Sequence, residues 1–316
     1  FDTFAFWHFT SPRGGTLGAD INIGTTMSGE GGFYAVPTPN PGNKRDWEAL
    51  LDWYFQPGVF ADALDQAISE AKQHLGSPEH KRNVVITIPY PGPYQTQFGK
   101  AEGKRLNFSV AGQNRDRATK DRLTACQWFV EETIRRFNAA EYDNLHLLGF
   151  YWTFETVYVS WDMDDHWLLK ELRPFVNQKG KKLFWIPFYS TYNIHLLDHY
   201  QDYYFDCAFL QPNHMFYQAI EDVKEAALAA RSRNAGIQME FYMTLDEPIA
   251  IQNERLARFD RYLNGGIEYG YMTNSATAWF DGGKGIYQLY HHQDPQERAY
   301  YDKIYTFIRG TYKPDR

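Results

Sequence analysis

The chain has 316 residues, a formal net charge of −7 and an apolar fraction of 43%, enough for a sizeable core in either two small domains or one large one. Its 32 basic residues form no stripe, which argues against a nucleic-acid partner, and no apolar run approaches the roughly 18–20 residues of a membrane span. Aromatic residues make up 17% of the chain, more than core packing usually takes, and Tyr and Trp suit surfaces that are apolar on one side and wet on the other, such as sugar-binding clefts.

The predicted elements alternate between short, nearly continuous apolar runs and longer amphipathic stretches. The first run, FDTFAFW (1–7), opens at Phe1 and not at Met, so a segment is expected upstream. A stretch rich in Gly, Pro and Thr follows (8–46), long enough to be a functional loop. Helical periodicity then covers 47–75, with Trp47, Leu50, Leu51 and Tyr54 in step, before the second run VVITIPYP (84–91). A helix over 117–138 leads to LHLLGFYWTFE (145–155), and a helix over 164–177 to LFWIPFYS (183–190). The fifth run, FDCAFLQPN (205–213), precedes a helical pattern at 215–232, and the sixth, IQMEFYM (237–243), precedes one at 250–264. YGYMTNS (269–275) reads as the seventh strand, and 294–309 as a last helix with Asp294 as its cap ahead of Pro295. Cys126 and Cys207 fall in a helical and a strand-like stretch; two buried thiols fit better than a disulfide, and neither has metal-ligand spacing around it.

Strands buried on both faces read as continuous apolar runs, and their alternation with helices argues for a parallel sheet. No glycine-rich turn follows a strand and opens a helix, which disfavours a doubly wound dinucleotide fold. The pattern predicts a single (β/α)8 TIM barrel over 1–316, with seven strands visible, the first strand of the barrel upstream of Phe1, and 8–46 as a long loop on the active-site face.

Such barrels keep their chemistry at the C-terminal strand ends. Those ends carry Tyr90, Trp152, Glu155, Tyr189, Gln211, Asn213, His214, Glu240 and Asn274. Two carboxylates among amides and aromatics suit glycoside hydrolysis, where one carboxyl protonates the leaving oxygen and the other attacks the anomeric carbon or activates water. Each candidate has a structural alternative: Glu155 as an ion-pair partner, Glu240 as a paired carboxylate inside an apolar strand, His214 as a hydrogen-bonded loop residue. Asp246 and Glu247 read as a helix cap, and Asp162, Asp164 and Asp165 as a cap and a solvated turn beside Trp161. His291 and His292 lack a third ligand, so no metal site and no cofactor is expected.

FDTFAF, VVITIPYP, NRDRA (114–118), QWFVEE (127–132), LLGFYWTFE, LFWIPFYS, FDCAFLQPN and IQMEFYM occur in the order that is typical of a bacterial TIM-barrel family catalogued only as a domain of unknown function, and the chain resembles that family over nearly its whole length. The resemblance implies one more strand before FDTFAF, acidic motifs at Glu155 and Glu240, and an amide motif at Gln211 and Asn213. With an upstream strand the two glutamates fall on strands four and seven, a layout similar to the retaining barrel glycoside hydrolases. Phe154 stands where that superfamily commonly has Asn, and Tyr242 stands where the family commonly has an acidic residue.

The expectation is therefore a polysaccharide-degrading glycoside hydrolase with Glu155 as acid/base and Glu240 as nucleophile. Tyr90, Trp152, Tyr189, Gln211, Asn213, His214 and Asn274 would hold a polysaccharide or oligosaccharide substrate. The expected location is secreted or periplasmic. A non-catalytic glycan-binding barrel and a polysaccharide lyase are the rivals.

Overall fold

The computed structural model describes residues 1–7, 25–27, 33–35, 41–76, 81–191, 194–243, 247–282 and 284–314. Most of the expected 8–46 loop and Asp246 lie outside the described residues. The chain forms two compact units, residues 1–185 with 200–206 and residues 186–199 with 207–316.

The first unit opens with β1 (Thr3–Phe6), followed by the antiparallel pair β2 (Thr25–Met27) and β3 (Phe33–Ala35). Helix α1 (Lys44–Tyr54) starts on a capping box, in which the Asn43 side chain accepts from Arg45 and the Asn43 N–H donates to Asp46. The expected single helix over 47–75 is two, because the chain turns through Pro57 and Gly58 (φ +74°) before α2 (Phe60–Leu75). Next come β4 (Arg82–Ile88), the hairpin β5 (Gly99–Ala101) and β6 (Lys104–Leu106), and the long α3 (Arg115–Ala140), capped by Asn114. Then follow β7 (Leu145–Trp152), α4 (Asp165–Gln178), β8 (Lys182–Trp185) and the short α5 (Tyr200–Tyr203).

Strands β1, β4, β7 and β8 pair in that order and all run parallel. Their register assigns the two faces. Phe6 pairs with Ile86, and Ile86 with Phe150, and Phe6 packs on Tyr54 and Phe60, 5.7 and 5.5 Å between ring centroids, so this set faces the helices. Side chains alternate along a strand, so Ile88 and Trp152 face the helices as well, while Thr87 and Tyr151 point the other way. Gly149 pairs with Lys182 where the two backbones are too close for a side chain: a Cβ there would sit 2.0 Å from the Lys182 carbonyl oxygen.

The second unit holds β9 (Cys207–Leu210), α6 (Lys224–Ser232), β10 (Gly236–Phe241), α7 (Ile249–Glu268), α8 (Tyr271–Asn274), β11 (Thr277–Asp281), α9 (Gly285–His291) and α10 (Pro295–Ile308). Strands β9, β10 and β11 pair in sequence, all parallel. The helix expected over 215–232 begins only at Lys224, because residues 213–217 are wound into turns. The seventh strand is also displaced. YGYMTNS is not a strand: Gly270 (φ +86°) ends the approach from α7, α8 follows, and the strand is TAWFD, whose aromatic Trp279 packs on Phe259 and Phe307. Asp294 caps α10 as expected, accepting from the Gln296 N–H at 2.7 Å.

The described residues thus form parallel α/β units of four and three strands and show no closed eight-stranded barrel. No helix among them is long and apolar enough to cross a membrane. Gly149→Ala is expected to lower unfolding stability by about 3 kcal/mol, since a backbone carbonyl cannot give way as a flexible side chain can; urea titration against the parent measures it.

Candidate functional site

In the first unit, Glu155 lies on the bend three residues beyond β7, in the stretch that leads to α4. The start of this stretch is fixed by Trp7, whose indole N–H donates to the Thr153 hydroxyl at 2.9 Å. Its far end is fixed by Asp165. The Asp165 carboxylate accepts from Arg122 at 2.6 Å and from the Tyr90 hydroxyl at 2.9 Å, and Arg122 also donates to the Pro91 carbonyl at 2.6 Å. Arg122 and Asp165 are both 0% exposed in their side chains, so the solvated turn expected at Asp165 is a buried ion pair. Asp164 is the helix cap, accepting from the Trp167 N–H at 2.9 Å.

Glu155 itself is half-buried, and among the described residues its carboxyl has no hydrogen-bond partner or counter-ion. Burial alone pushes its pKa from the ordinary value of 4.5 up to about 7. Its charge also acts on Tyr151, whose phenol is raised by burial first and by Glu155 second. Trp152 and Tyr90 belong elsewhere. Trp152 is fully buried, Tyr90 is 5% exposed, and their rings pack 5.5 Å apart on the helix-facing side, with the Arg122 guanidinium 5.4 Å from the Tyr90 ring. Burial, and then Asp165, hold the Tyr90 phenol well above its usual value.

In the second unit, Glu240 sits in β10 with 0% exposure. Its Oε2 accepts from the Asn213 backbone N–H at 2.7 Å and from the Tyr262 hydroxyl of α7, which in turn accepts from the Met215 N–H at 3.2 Å. Asn213 has a left-handed backbone (φ +62°), and its side chain accepts from Gln211. His214 is buried; its Nδ1 meets the Ile220 carbonyl at 2.6 Å and must therefore carry the proton, while Arg258 donates to the His214 carbonyl at 2.6 Å. Burial lowers the His214 pKa, so the ring is neutral at pH 7. Tyr189 is half-buried, and its N–H donates to the Gln211 carbonyl at 2.9 Å. Asn274 is exposed in α8, ahead of β11 and not at its end.

The structure therefore brings Gln211, Asn213, His214 and Glu240 together through backbone ties, adding Tyr262 and Arg258, which lie on a helix and carried no motif. On the first unit Glu155 acts on Tyr151, while Trp152 and Tyr90 pack on each other. Period-two alternation along β7 was the signal that could have separated these sets. Among the described residues no group of three or more His, Cys, Asp or Glu could hold a metal ion.

Two stability outcomes follow. A carboxyl whose folded pKa is raised to about 7 binds its proton more tightly when folded, so folding stability falls as pH rises from about 4.5 to 7 and is then flat. Glu155→Gln removes that loss and is expected to stabilise the protein at pH 8 by up to about 3 kcal/mol more than at pH 4, read by chemical denaturation at both values. Glu240→Ala should destabilise, costing about 2–4 kcal/mol by stranding the Asn213 N–H and the Tyr262 hydroxyl, as thermal unfolding followed by circular dichroism would register.

No curated protein and no solved structure matches the chain. Residues 1–306 match the protein family described as a domain of unknown function, DUF4855. The match spans nearly the whole sequence, and the chain belongs to this DUF4855 family.

Proposed function

We propose that the protein acts on a polysaccharide as a glycoside hydrolase, with Glu155 as the general acid. The observation that carries this reading is a half-buried carboxyl with no partner among the described residues and a pKa of about 7. A carboxyl in that condition holds its proton at neutral pH and can deliver it to a glycosidic oxygen as the C1–O bond breaks and an enzyme carboxylate bonds the anomeric carbon; water then hydrolyses that ester and gives a proton back to Glu155. Structural carboxylates are ordinarily paired, and strongly perturbed ones gather at functional sites. Tyr151 and the Trp7–Thr153 pair supply an aromatic and hydroxyl-bearing setting of the kind a sugar ring uses. The closed barrel and the retaining layout expected from the sequence remain part of this proposal.

Glu240 fits the nucleophile role less well, because its side chain is enclosed by Asn213 and Tyr262. That enclosure favours a second reading, a non-catalytic glycan-binding protein in which Glu240 holds the Gln211–His214 segment in shape. The two readings separate on reducing-end release from a panel of neutral and amino-sugar polysaccharides. For a hydrolase with Glu155 as acid, Glu155→Gln should lower kcat by about 100-fold or more, and parent activity should fall about tenfold per pH unit above the Glu155 pKa of about 7. Binding of the same polysaccharides without release of any reducing end would establish the second reading instead. Cleavage unaffected by Glu155→Gln would remove Glu155 from the mechanism.

A further inference from the structure

The two faces of the β4–β7–β8 sheet are closed to different degrees. On the helix side Phe150, Trp152, Leu183 and Trp185 are all 0% exposed. The opposite face shows Thr87, Tyr151 and Phe184 in one row, since Tyr151 pairs with Thr87 on one side and Phe184 on the other. Tyr151 and Phe184 both keep accessible surface, so this face is not sealed. Trp7, also half-buried, follows β1 and donates to Thr153 just beyond β7.

Tyr151 is the residue of this row with unused chemistry. Its hydroxyl has no hydrogen-bond partner among the described residues and is not closed off from solvent, unlike the enclosed Tyr54 hydroxyl. Glu155, four residues on, is in the same condition and acts on the Tyr151 phenol. Burial is the leading cause of the raised pKa at both groups. Groups crowded by protein yet still open to water line a concavity, not a convex surface.

The chemistry of the row narrows what it could hold. A phenol held well above its ordinary pKa stays protonated, so Tyr151 is a hydrogen-bond donor and not a base. Thr87, Tyr151 and Phe184 bring no cation, and Arg122 is committed to Asp165 on the helix side. A carboxylate-bearing sugar would meet Glu155 there without a counter-ion. An uncharged pyranose suits two part-exposed rings, which take its C–H face, and one free hydroxyl.

We propose that this face is the sugar-binding cleft of the Glu155 site, where an uncharged pyranose ring lies on Tyr151 and Phe184 and accepts a hydrogen bond from the Tyr151 hydroxyl. This assignment rests on the reading of the protein as one that handles a glycan, and it does not require cleavage at Glu155.

The test is equilibrium binding of trisaccharides of glucose, N-acetylglucosamine, galactose and mannose to the full chain carrying Glu155→Gln, which prevents turnover by that group. At least one should bind, and adding Tyr151→Phe should weaken it about three- to tenfold. The urea midpoint should not move, because the hydroxyl bonds no protein group. Phe184→Ala should weaken binding further; if it fails to fold, Tyr151→Phe decides alone. Absence of binding by all four at about 10 mM, near the weak end of measurable affinity, would overturn the assignment. So would binding indifferent to Tyr151→Phe, or tighter binding of trigalacturonic acid than of any neutral trisaccharide. Tyr151-dependent binding by a parent chain that releases no reducing ends from polysaccharides would support the cleft and sink only the hydrolase reading. Cleavage that needs Glu155 but is unchanged by Tyr151→Phe would sink the cleft and leave the hydrolase reading standing.

Discussion

The first unit depends on one buried ion pair. Arg122 and Asp165 are wholly withdrawn from water, and removing two charges from water costs several kcal/mol apiece unless each is matched. Here the matching is done by three segments at once: the turn after β4, through the Pro91 carbonyl and the Tyr90 hydroxyl; α3, through Arg122; and α4, through Asp165. None of the three can shift without stranding a charge. The connection from β7 to α4 is therefore held at its far end by Asp165 and at its near end by Trp7 and Thr153, and Glu155 is carried between two fixed points.

Glu155 and Glu240 show two solutions to the same problem, a carboxylate within an apolar run. Glu240 is held by donors on one oxygen: a backbone N–H and a phenol converge on Oε2 and tie β10 to the 213–217 turns. Glu155 has no such partner among the described residues, and burial raises its proton affinity instead. The first arrangement fastens a backbone turn to a strand, whereas in the second burial alone sets the proton affinity.

The abundance of aromatic residues suggested sugar-facing surfaces, yet much of it is spent inside. Trp47, Trp152 and Trp185 are fully buried; Trp47 meets Phe98 and Phe129 edge-on, and Trp185 stacks on Phe205 at 4.9 Å. Composition cannot tell a core indole from an exposed one, since both gain from contact with flat apolar surfaces. Trp161, 78% exposed, and Trp7, bonded to the Thr153 hydroxyl, are set differently.

The order of elements was legible in the amino-acid sequence alone. Six of the seven apolar runs became strands where they were expected, because a strand buried on both faces must be continuously apolar and little else of that length is. The seventh was misplaced: YGYMTNS has strand composition, but Gly270 turns the chain into α8, and the β-branched and aromatic TAWFD pairs with β10 instead. Locally the two segments look alike, and the sheet neighbour decided between them. Glu155 stood out in the sequence as a charge ending an apolar run. What surrounds each carboxyl was not, because partners such as Tyr262, 22 residues from Glu240, and Arg122, 43 residues from Asp165, are distant in sequence and adjacent only after packing. The face to which each side chain points was decided by strand register, which a single residue of slip would reverse. Sequence determined which residues carry ionisable and polar groups; tertiary structure decided which of them are paired and which are buried, because pairing and burial are properties of neighbours that only the fold supplies.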